Sequence, residues 1–166
     1  PLRPANCGFE VAGGAHRGAA GWSEHFRERH AGQALKSVAI EVRDAEGHRW
    51  RQPGEFVVSD YGVEGSLVYA ASGLLRDAIA ARGRATFALD LLPDHDAARV
   101  LAEVTRPRGG RSLATHLKSR LGLQGLKPAL LHEVLGAAGV ADAPAGHRIA
   151  LRDAVHRQGA VIELGL

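Results

Sequence analysis

Hydrophobic and polar residues alternate most clearly between positions 37 and 43, where Val38, Ile40 and Val42 are separated by small or polar neighbours. A period of two is typical of a strand that buries one face. Glu46–Gly47 follows as a predicted hairpin turn. Further strands are predicted over three ranges: 48–51, 55–59 and 85–91. Short strands with mostly local connections indicate an antiparallel sheet or a small barrel.

A helical period replaces this alternation from Ser66 to about Arg82. On a helical wheel the apolar residues of this segment share one arc, which predicts a core face. Tyr69 falls on the opposite, polar side together with Arg76. A shorter helix is predicted over 22–30, with Ser23 as its N-terminal cap.

After Pro93 the pattern becomes helical throughout. Asp94 is predicted to cap a helix that reaches Val104, and Ser112 to cap a second that reaches Leu121. Pro128 suits the first position of a third helix. Glycines at 109–110, 122–125 and 136–139 are expected to separate these helices, and a last helical turn is expected over 151–156.

These elements predict an α+β fold, in which a small antiparallel β-barrel or sheet is joined to a helical bundle. The predicted order along the chain has four parts: a connector over 1–21, a mainly β sub-lobe with one long helix (66–82) over 22–93, a helical bundle over 94–158, and a return segment over 159–166.

Composition narrows the class of protein. Apolar residues form 45% of the chain, enough for a core, and no apolar run is long enough to cross a bilayer. The single cysteine fits a reducing cytoplasm, and cytoplasmic localisation without membrane contact is expected. The formal net charge of +3 raises the possibility of a nucleic-acid surface, which requires the basic residues to cluster on one face.

The common catalytic and binding motifs are missing from this sequence. There is no G-x-G-x-x-G segment after a strand, so the chain is not expected to hold a dinucleotide by itself. No zinc spacing is present, and Asp94-His95-Asp96 is interpreted as a helix start, so no metal site is predicted. No nucleophile elbow or phosphate loop is found either.

One candidate site remains, over residues 54–69, where a buried strand runs through a glycine-containing turn into a helix. Glycine permits a positive φ and close approach of a ligand, and the first turn of a helix has unpaired N–H groups. Tyr61, Glu64 and Tyr69 place polar groups beside it. The alternative is a structural connection in which Ser66 only caps the helix.

A family resemblance supports the first reading. The ordered segments Arg3-Pro4-Ala5-Asn6-Cys7-Gly8-Phe9, Trp22-Ser23, Gly54-Glu55, Tyr61-Gly62-Val63-Glu64-Gly65 and Asp90-Leu91-Leu92-Pro93-Asp94 resemble the BaiN/RdsA-like NAD(P)/FAD-dependent oxidoreductases. The resemblance extends to about Val134, whereas the segment from Ala12 to Gly21 departs from it.

The resemblance implies that this chain is the domain inserted into a split FAD-binding Rossmann domain, which is its expected partner on the same polypeptide. FAD would be bound by that other domain, with NAD(P)H as a possible electron donor, in the reduction of a carbon–carbon double bond. The substrate would be a small molecule or RNA. The predicted substrate-facing residues are Tyr61, Gly62, Glu64, Gly65, Ser66 and Tyr69, with Tyr69 as the candidate catalytic residue. Asn6 and Cys7 are the candidates for contact with the flavin.

Two alternatives stay open. One is an RNA-binding module of a uridine-reducing flavoprotein, favoured if Arg106, Arg108, Arg111, Lys118 and Arg120 share a face. The other is an inactive gene fragment. In each case the chain alone is expected to be colourless and without catalytic activity.

Overall fold

A computed structural model describes residues 7–12, 21–140 and 160–165, with side chains described up to Val134. The strands are β1 (Phe9–Val11), β2 (Ala34–Arg43), β3 (Arg49–Val58), β4 (Gly62–Glu64), β5 (Ala85–Asp90) and β6 (Ala160–Gly165). The helices are α1 (Glu24–His30), α2 (Ser66–Arg82), α3 (Ala97–Thr105), α4 (Leu113–Leu121) and α5 (Leu126–Val140). The predicted α+β class is confirmed. Asn6 and the predicted turn over 151–156 lie outside the described residues.

The six strands form a closed antiparallel barrel in the order β1-β4-β3-β2-β5-β6. The ring closes where Glu10 pairs with Gly165 and Val11 pairs with Leu164. The first and last strands are therefore neighbours, and the start of β1 lies beside the end of β6. Closure gives every strand a neighbour on both sides, although β3 pairs with β4 only at Val57 and Val58.

The hairpin of β2 and β3 follows the alternation seen in the sequence. Val38, Ile40 and Val42 are all buried, and the predicted turn at 46–47 is present. The prediction of two separate strands over 48–51 and 55–59 was wrong, because one strand continues through Pro53 and Gly54. An extra residue on β2 shifts the register beside them, and Ser37 there has a φ of 51°. Such a bulge disrupts the ladder locally and relaxes its demand for regular hydrogen bonding.

Helix α2 has the predicted bounds and lies against the barrel. It begins directly after β4, ends before β5, and packs on β2, β3, β4 and β5. Its apolar arc, including Leu67, Leu75 and Ile79, is buried. Inside the barrel, Phe56 and Phe87 meet edge to face with ring centroids 6.3 Å apart. The core thus continues from the barrel interior to the buried face of α2.

The remaining helices pack near the far end of β5. The prediction that Asp94 caps α3 was wrong, since the side chain of Asp96 accepts a hydrogen bond from Arg99 N at 2.7 Å. Ser112 caps α4 as predicted. Pro128 is the third residue of α5 rather than its first, which is still within the turn that lacks internal N–H partners. The glycines at 136–139 do not end α5 as predicted, because the helix continues to Val140.

Two glycine turns connect α4 to α5. Gly122 and Gly125 have φ values of 66° and 64°, which favour glycine. Between them Leu123 is buried, so its side chain holds the connection against the core. This helix, double turn and helix sequence places Lys127 at the start of α5. Its Nζ donates hydrogen bonds to Ser37 O at 2.8 Å and to Leu91 O at 2.6 Å, joining α5 to the barrel.

Candidate functional site

The segment that contains the predicted site is a strand between two bends rather than a single turn. Gly62–Glu64 forms β4, which pairs with β1 on one side and with β3 on the other. The predicted turn over 61–66 was therefore wrong. Tyr61 and Ser66 lie beyond opposite ends of β4, roughly 16 Å apart for five residues of extended chain. The six predicted substrate-facing residues are divided between two ends of the barrel.

Gly62 serves the barrel itself. A Cβ at this position would collide with the carbonyl oxygen of Phe9, so β1 and β4 approach each other only because the residue is glycine. The Trp22 indole donates a hydrogen bond to Gly62 O at 3.0 Å. Val11 N donates to Tyr61 O, also at 3.0 Å. The backbone here is already occupied by protein partners, which favours a structural role for Gly62.

Tyr61 is 58% exposed, the largest exposure of any large hydrophobic side chain among the described residues. The guanidinium of Arg27, from α1, lies 5.9 Å from the centroid of its ring, a cation–π distance. Gly21 lies close to the same ring. Tyr61 is thus a surface residue near α1, at the barrel end away from α2.

The start of α2 lies at the other end of β4. Gly65 occupies the N-cap with a φ of 101°, and no side chain caps the helix there. The hydroxyl of Ser66 donates to Glu55 O at 3.4 Å, rather than to the first turn of α2. Ser66 and Glu64 are both exposed. The first turn of a 17-residue helix therefore keeps N–H groups available to an oxygen acceptor.

Tyr69 and Arg76 lie on the same polar edge of α2, two turns apart. Tyr69 is half-buried, so it lies beside the core face rather than opposite to it. The Nε of Arg76 donates to Ser72 O at 3.1 Å, whereas its Nη1 is buried and has no hydrogen-bond partner among the described residues. Its Nη2 lies near Gly73. A buried donor on a cation is costly to leave unpaired, which makes Arg76 a candidate to bind an anionic oxygen.

The topology indicates which way this polar edge faces. Because α2 leaves β4 and reaches β5, it divides the barrel end into a side with β3 and β2 and a side with β1 and β6. Leu74 and Ala78, on one edge of α2, line a cavity with the β2–β3 hairpin. We infer from this topology that Tyr69 and Arg76, on the other edge, face the side of β1 and β6. That is the side on which β1 begins and β6 ends.

The other predicted residues are placed less informatively. Cys7 is half-buried and packs against the hydrophobic core, as a small apolar residue does. Asn6 lies outside the described residues. One charged residue that the sequence pattern did not predict as important is Asp90, which is buried and ion-paired with Arg51 at 2.9 Å. It also accepts from Leu92 N at 3.0 Å. The local sequence pattern does not indicate this ion pair, because Arg51 and Asp90 are 39 residues apart. Asp90 was included only in a segment that carries the family resemblance.

Two of the five basic residues of the RNA alternative lie close together, at one acidic side chain. Arg106 and Arg120 both approach the Glu103 carboxylate, at 3.5 and 3.9 Å. Lys118 is two positions from Arg120, which in a helix separates the two side chains by about 200°. The helical part therefore brings two of these residues together and directs Lys118 away from Arg120, and RNA binding stays a prediction.

A group of possible metal ligands occurs at the β2–β3 hairpin. Ligand atoms of Asp44, Glu46 and His48 all lie within 4.8 Å of one another. Asp44 already accepts from His48 N at 2.7 Å and contacts His48 Nδ1 at 2.9 Å. Desolvation acts to raise the pKa of Asp44, but hydrogen bonds from His48 outweigh it and lower that pKa below 3.8. These contacts account for the group as part of the hairpin turn.

Comparison with known families decides what kind of domain this is. Residues 3–145 match the family model described as the HI0933-like protein barrel and H2TH domain. The chain belongs to this family. Its closed barrel and its helix, double turn and helix correspond to the two parts of that description. As a member of the HI0933-like family it is an insert domain of flavoproteins, and the resemblance found in the sequence is confirmed.

The family is associated with FAD-binding flavoproteins. No curated protein matches this chain. Among the helices of the described residues, none combines the length and the apolar character needed to span a membrane.

Proposed function

We propose that this HI0933-like domain covers the substrate in a FAD-dependent oxidoreductase that reduces a carbon–carbon double bond. FAD would be held by a flanking domain of the same polypeptide, with NAD(P)H as the electron donor in the cytoplasm. Pairing of β1 with β6 supports the insertion, since the chain enters and leaves the barrel at adjacent positions. Insertion of one domain into another is tolerated where such positions lie close together.

The observation that carries this proposal is the polar edge of α2 on the side of β1 and β6. Tyr69 and Arg76 would then face the flanking domain, along with the start of α2 at Gly65. A flavin site needs a cover that excludes water and still supplies a few polar groups. The edge combines a half-buried phenol with a guanidinium that has an unpaired buried nitrogen, whereas the opposite edge of α2 faces the hairpin.

Bound FAD would supply hydride transfer to the substrate. In this chain, the first-turn N–H groups after Gly65 would orient a substrate carbonyl oxygen. The phenol of Tyr69 would donate a hydrogen bond or a proton on the face opposite the hydride. Arg76 would pair with an anionic oxygen of the substrate through its free Nη1. The body of α2 would keep water from the reacting atoms.

The test uses the flavoprotein that contains this domain and compares the chain's two tyrosines. Tyr69→Phe removes only a hydroxyl, so we expect reduction of the substrate by reduced flavin to slow by about 100-fold. Folding and flavin content should be unchanged. Tyr61→Phe is the matched control, because Tyr61 lies at the other barrel end, and its rate should stay within about twofold of wild type. Stopped-flow absorbance of flavin reoxidation measures both.

Two results would contradict the proposal. Full activity of Tyr69→Phe on the true substrate would remove its catalytic role. A slow rate of substrate reduction in Tyr61→Phe, together with a normal rate in Tyr69→Phe, would place the substrate at the barrel end near α1. The pH profile separates chemistry from positioning, since loss of a proton donor changes the profile on the alkaline side, whereas a packing defect lowers the rate at every pH.

A further inference from the structure

A second polar region lies on the outside of the barrel, apart from the edge of α2 that carries Tyr69. It is an open cavity of about 410 Å³ between the last part of α2, the end of β2 and the start of β5. Its walls include small side chains, among them Ala78, Ala85, Thr86 and Ala88. Small residues leave space for a ligand, and the volume is within the range of small-molecule sites.

Three arginines line this cavity, one from each wall: Arg43 from β2, Arg82 from α2 and Arg84 from the residue directly before β5. We refer to Arg43, Arg82, Arg84 and the space between them as the arginine cleft. The guanidinium of Arg82 has no hydrogen-bond or ion-pair partner within the described parts of the chain. Arg43 is 66% exposed. Both side chains can thus turn toward a ligand at little cost in broken contacts.

The two carboxylates that line the cleft do not cancel its positive charge. Glu41 is bound by Arg49 at 2.6 Å and by Arg43 at 3.4 Å, so two cations share one anion. Asp44 is engaged by His48 in the hairpin turn. With the neighbouring Arg49, the three arginines of the cleft outnumber its two carboxylates, which leaves an excess of cationic side chains around the cavity, and Arg84 also holds a contact of its own.

Guanidinium groups favour planar, bidentate binding of carboxylate and phosphate oxygens. A phosphate offers several oxygens at once, so arginines on three walls can approach one group from different directions. A carboxylate has only two oxygens and engages a single fork fully. The arrangement therefore favours phosphate over carboxylate.

We propose that the arginine cleft binds a phosphate group, carried by a free nucleotide or by a nucleic-acid strand. The ligand phosphate contacts Arg43, Arg82 and Arg84, and its organic part lies over the small residues of α2 and β5. The site is on the opposite edge of α2 from Tyr69, so it is separate from the proposed flavin-facing edge. The proposal of a phosphate site therefore does not depend on the proposed function of Tyr69.

The test is an NMR titration of the arginine Nε–Hε signals of the 166-residue chain, first with adenosine 5′-monophosphate and then with a short single-stranded RNA. Arg82→Gln and Arg43→Gln should each weaken binding about fivefold. Arg99→Gln, at an exposed arginine on α3, removes the same charge elsewhere and should leave binding within about twofold. Amide spectra establish that each variant is folded.

Comparing the affinities of the two ligands identifies the source of the phosphate. If the strand is the source, RNA binds more tightly than the mononucleotide, and its affinity falls more steeply as salt is raised. If a nucleotide is the source, the mononucleotide binds at least as tightly as RNA. The proposal is overturned if no arginine signal moves at millimolar mononucleotide or with RNA, or if Arg99→Gln weakens binding as much as Arg82→Gln.

Discussion

Gly62 lies where β4 comes closest to β1, and it permits that approach by having no side chain. In Gly62→Ala the new methyl group would meet the carbonyl oxygen of Phe9, a main-chain atom that can move only with its strand. We expect a loss of about 3 kcal/mol in the free energy of unfolding. Gly110→Ala is the control, because a Cβ there has nothing within 4 Å. Urea unfolding measures both, and equal stabilities would contradict the close approach.

Lys127 links a pH effect to the junction of barrel and helices. Burial lowers its pKa below 10.5, with Asp90 and Asp94 opposing that shift. Between the lowered pKa and 10.5 the unfolded chain binds more protons at this group than the folded chain, so its contribution to stability rises with pH. The difference in unfolding free energy between wild type and Lys127→Met should increase across this range.

The measurement for Lys127 is urea unfolding at a series of alkaline pH values. Lys118→Met, at an exposed lysine on α4, shows what the loss of any surface lysine does to the slope. A wild-type minus Lys127→Met difference that is flat or falls with pH would show that Lys127 is not desolvated at the junction.

At the scale of elements, α1 is held to α5 through the residue that caps it. Ser23 Oγ accepts from Phe26 N at 3.1 Å, and Ser23 N and Oγ both donate to the Glu133 carboxylate, at 2.7 and 2.8 Å. Glu133→Ala leaves these donors without that acceptor and should cost about 2 kcal/mol. Glu28→Ala, exposed on α1, should cost less than about 0.5 kcal/mol. Hydrogen exchange at Phe26 N–H should speed up only in the first variant, and unchanged exchange would contradict the link.

The elements that the sequence predicted well are those with long local patterns. The alternation in β2 runs from residue 37 to residue 43, the helical pattern of α2 runs over 17 residues, and Ser23 and Ser112 are recognisable caps. β1 and β4 have three residues each, too few to show a period, and β1 pairs with β4 and β6, which both lie far along the chain. The same short length explains the error in the candidate site. Because β4 was interpreted as a turn, residues that lie at its two ends were predicted to form one site. The unpaired nitrogen of Arg76 has no signal in the sequence at all.

At the scale of the whole molecule, the barrel lies between α2 and the other helices. α2 lies across the end where β1 begins and β6 ends, while Lys127 joins α5 to the barrel near the far end of β5. A flanking domain connected through β1 and β6 would therefore meet α2 and not the helical part. In the two proposals made above, Tyr69 faces the substrate and the arginine cleft binds a second ligand, on opposite edges of one helix.

The adjacency of β1 and β6 can be tested on the domain itself by circular permutation. Joining Gly165 to Gly8 through about four glycine and serine residues should suffice, because paired strands lie only about 5 Å apart. New ends between Glu46 and Gly47 would open an exposed hairpin turn, where nothing lies within 4 Å of a Cβ at Gly47. We expect cooperative urea unfolding, with stability within roughly 2 kcal/mol of the parent.

Opening β4 between Val63 and Glu64 is the control and should abolish folding, because it interrupts pairing with both neighbouring strands. If the hairpin permutant folds only with a linker of about 20 residues, the two strands are not neighbours in solution, and the proposed insertion through them is wrong.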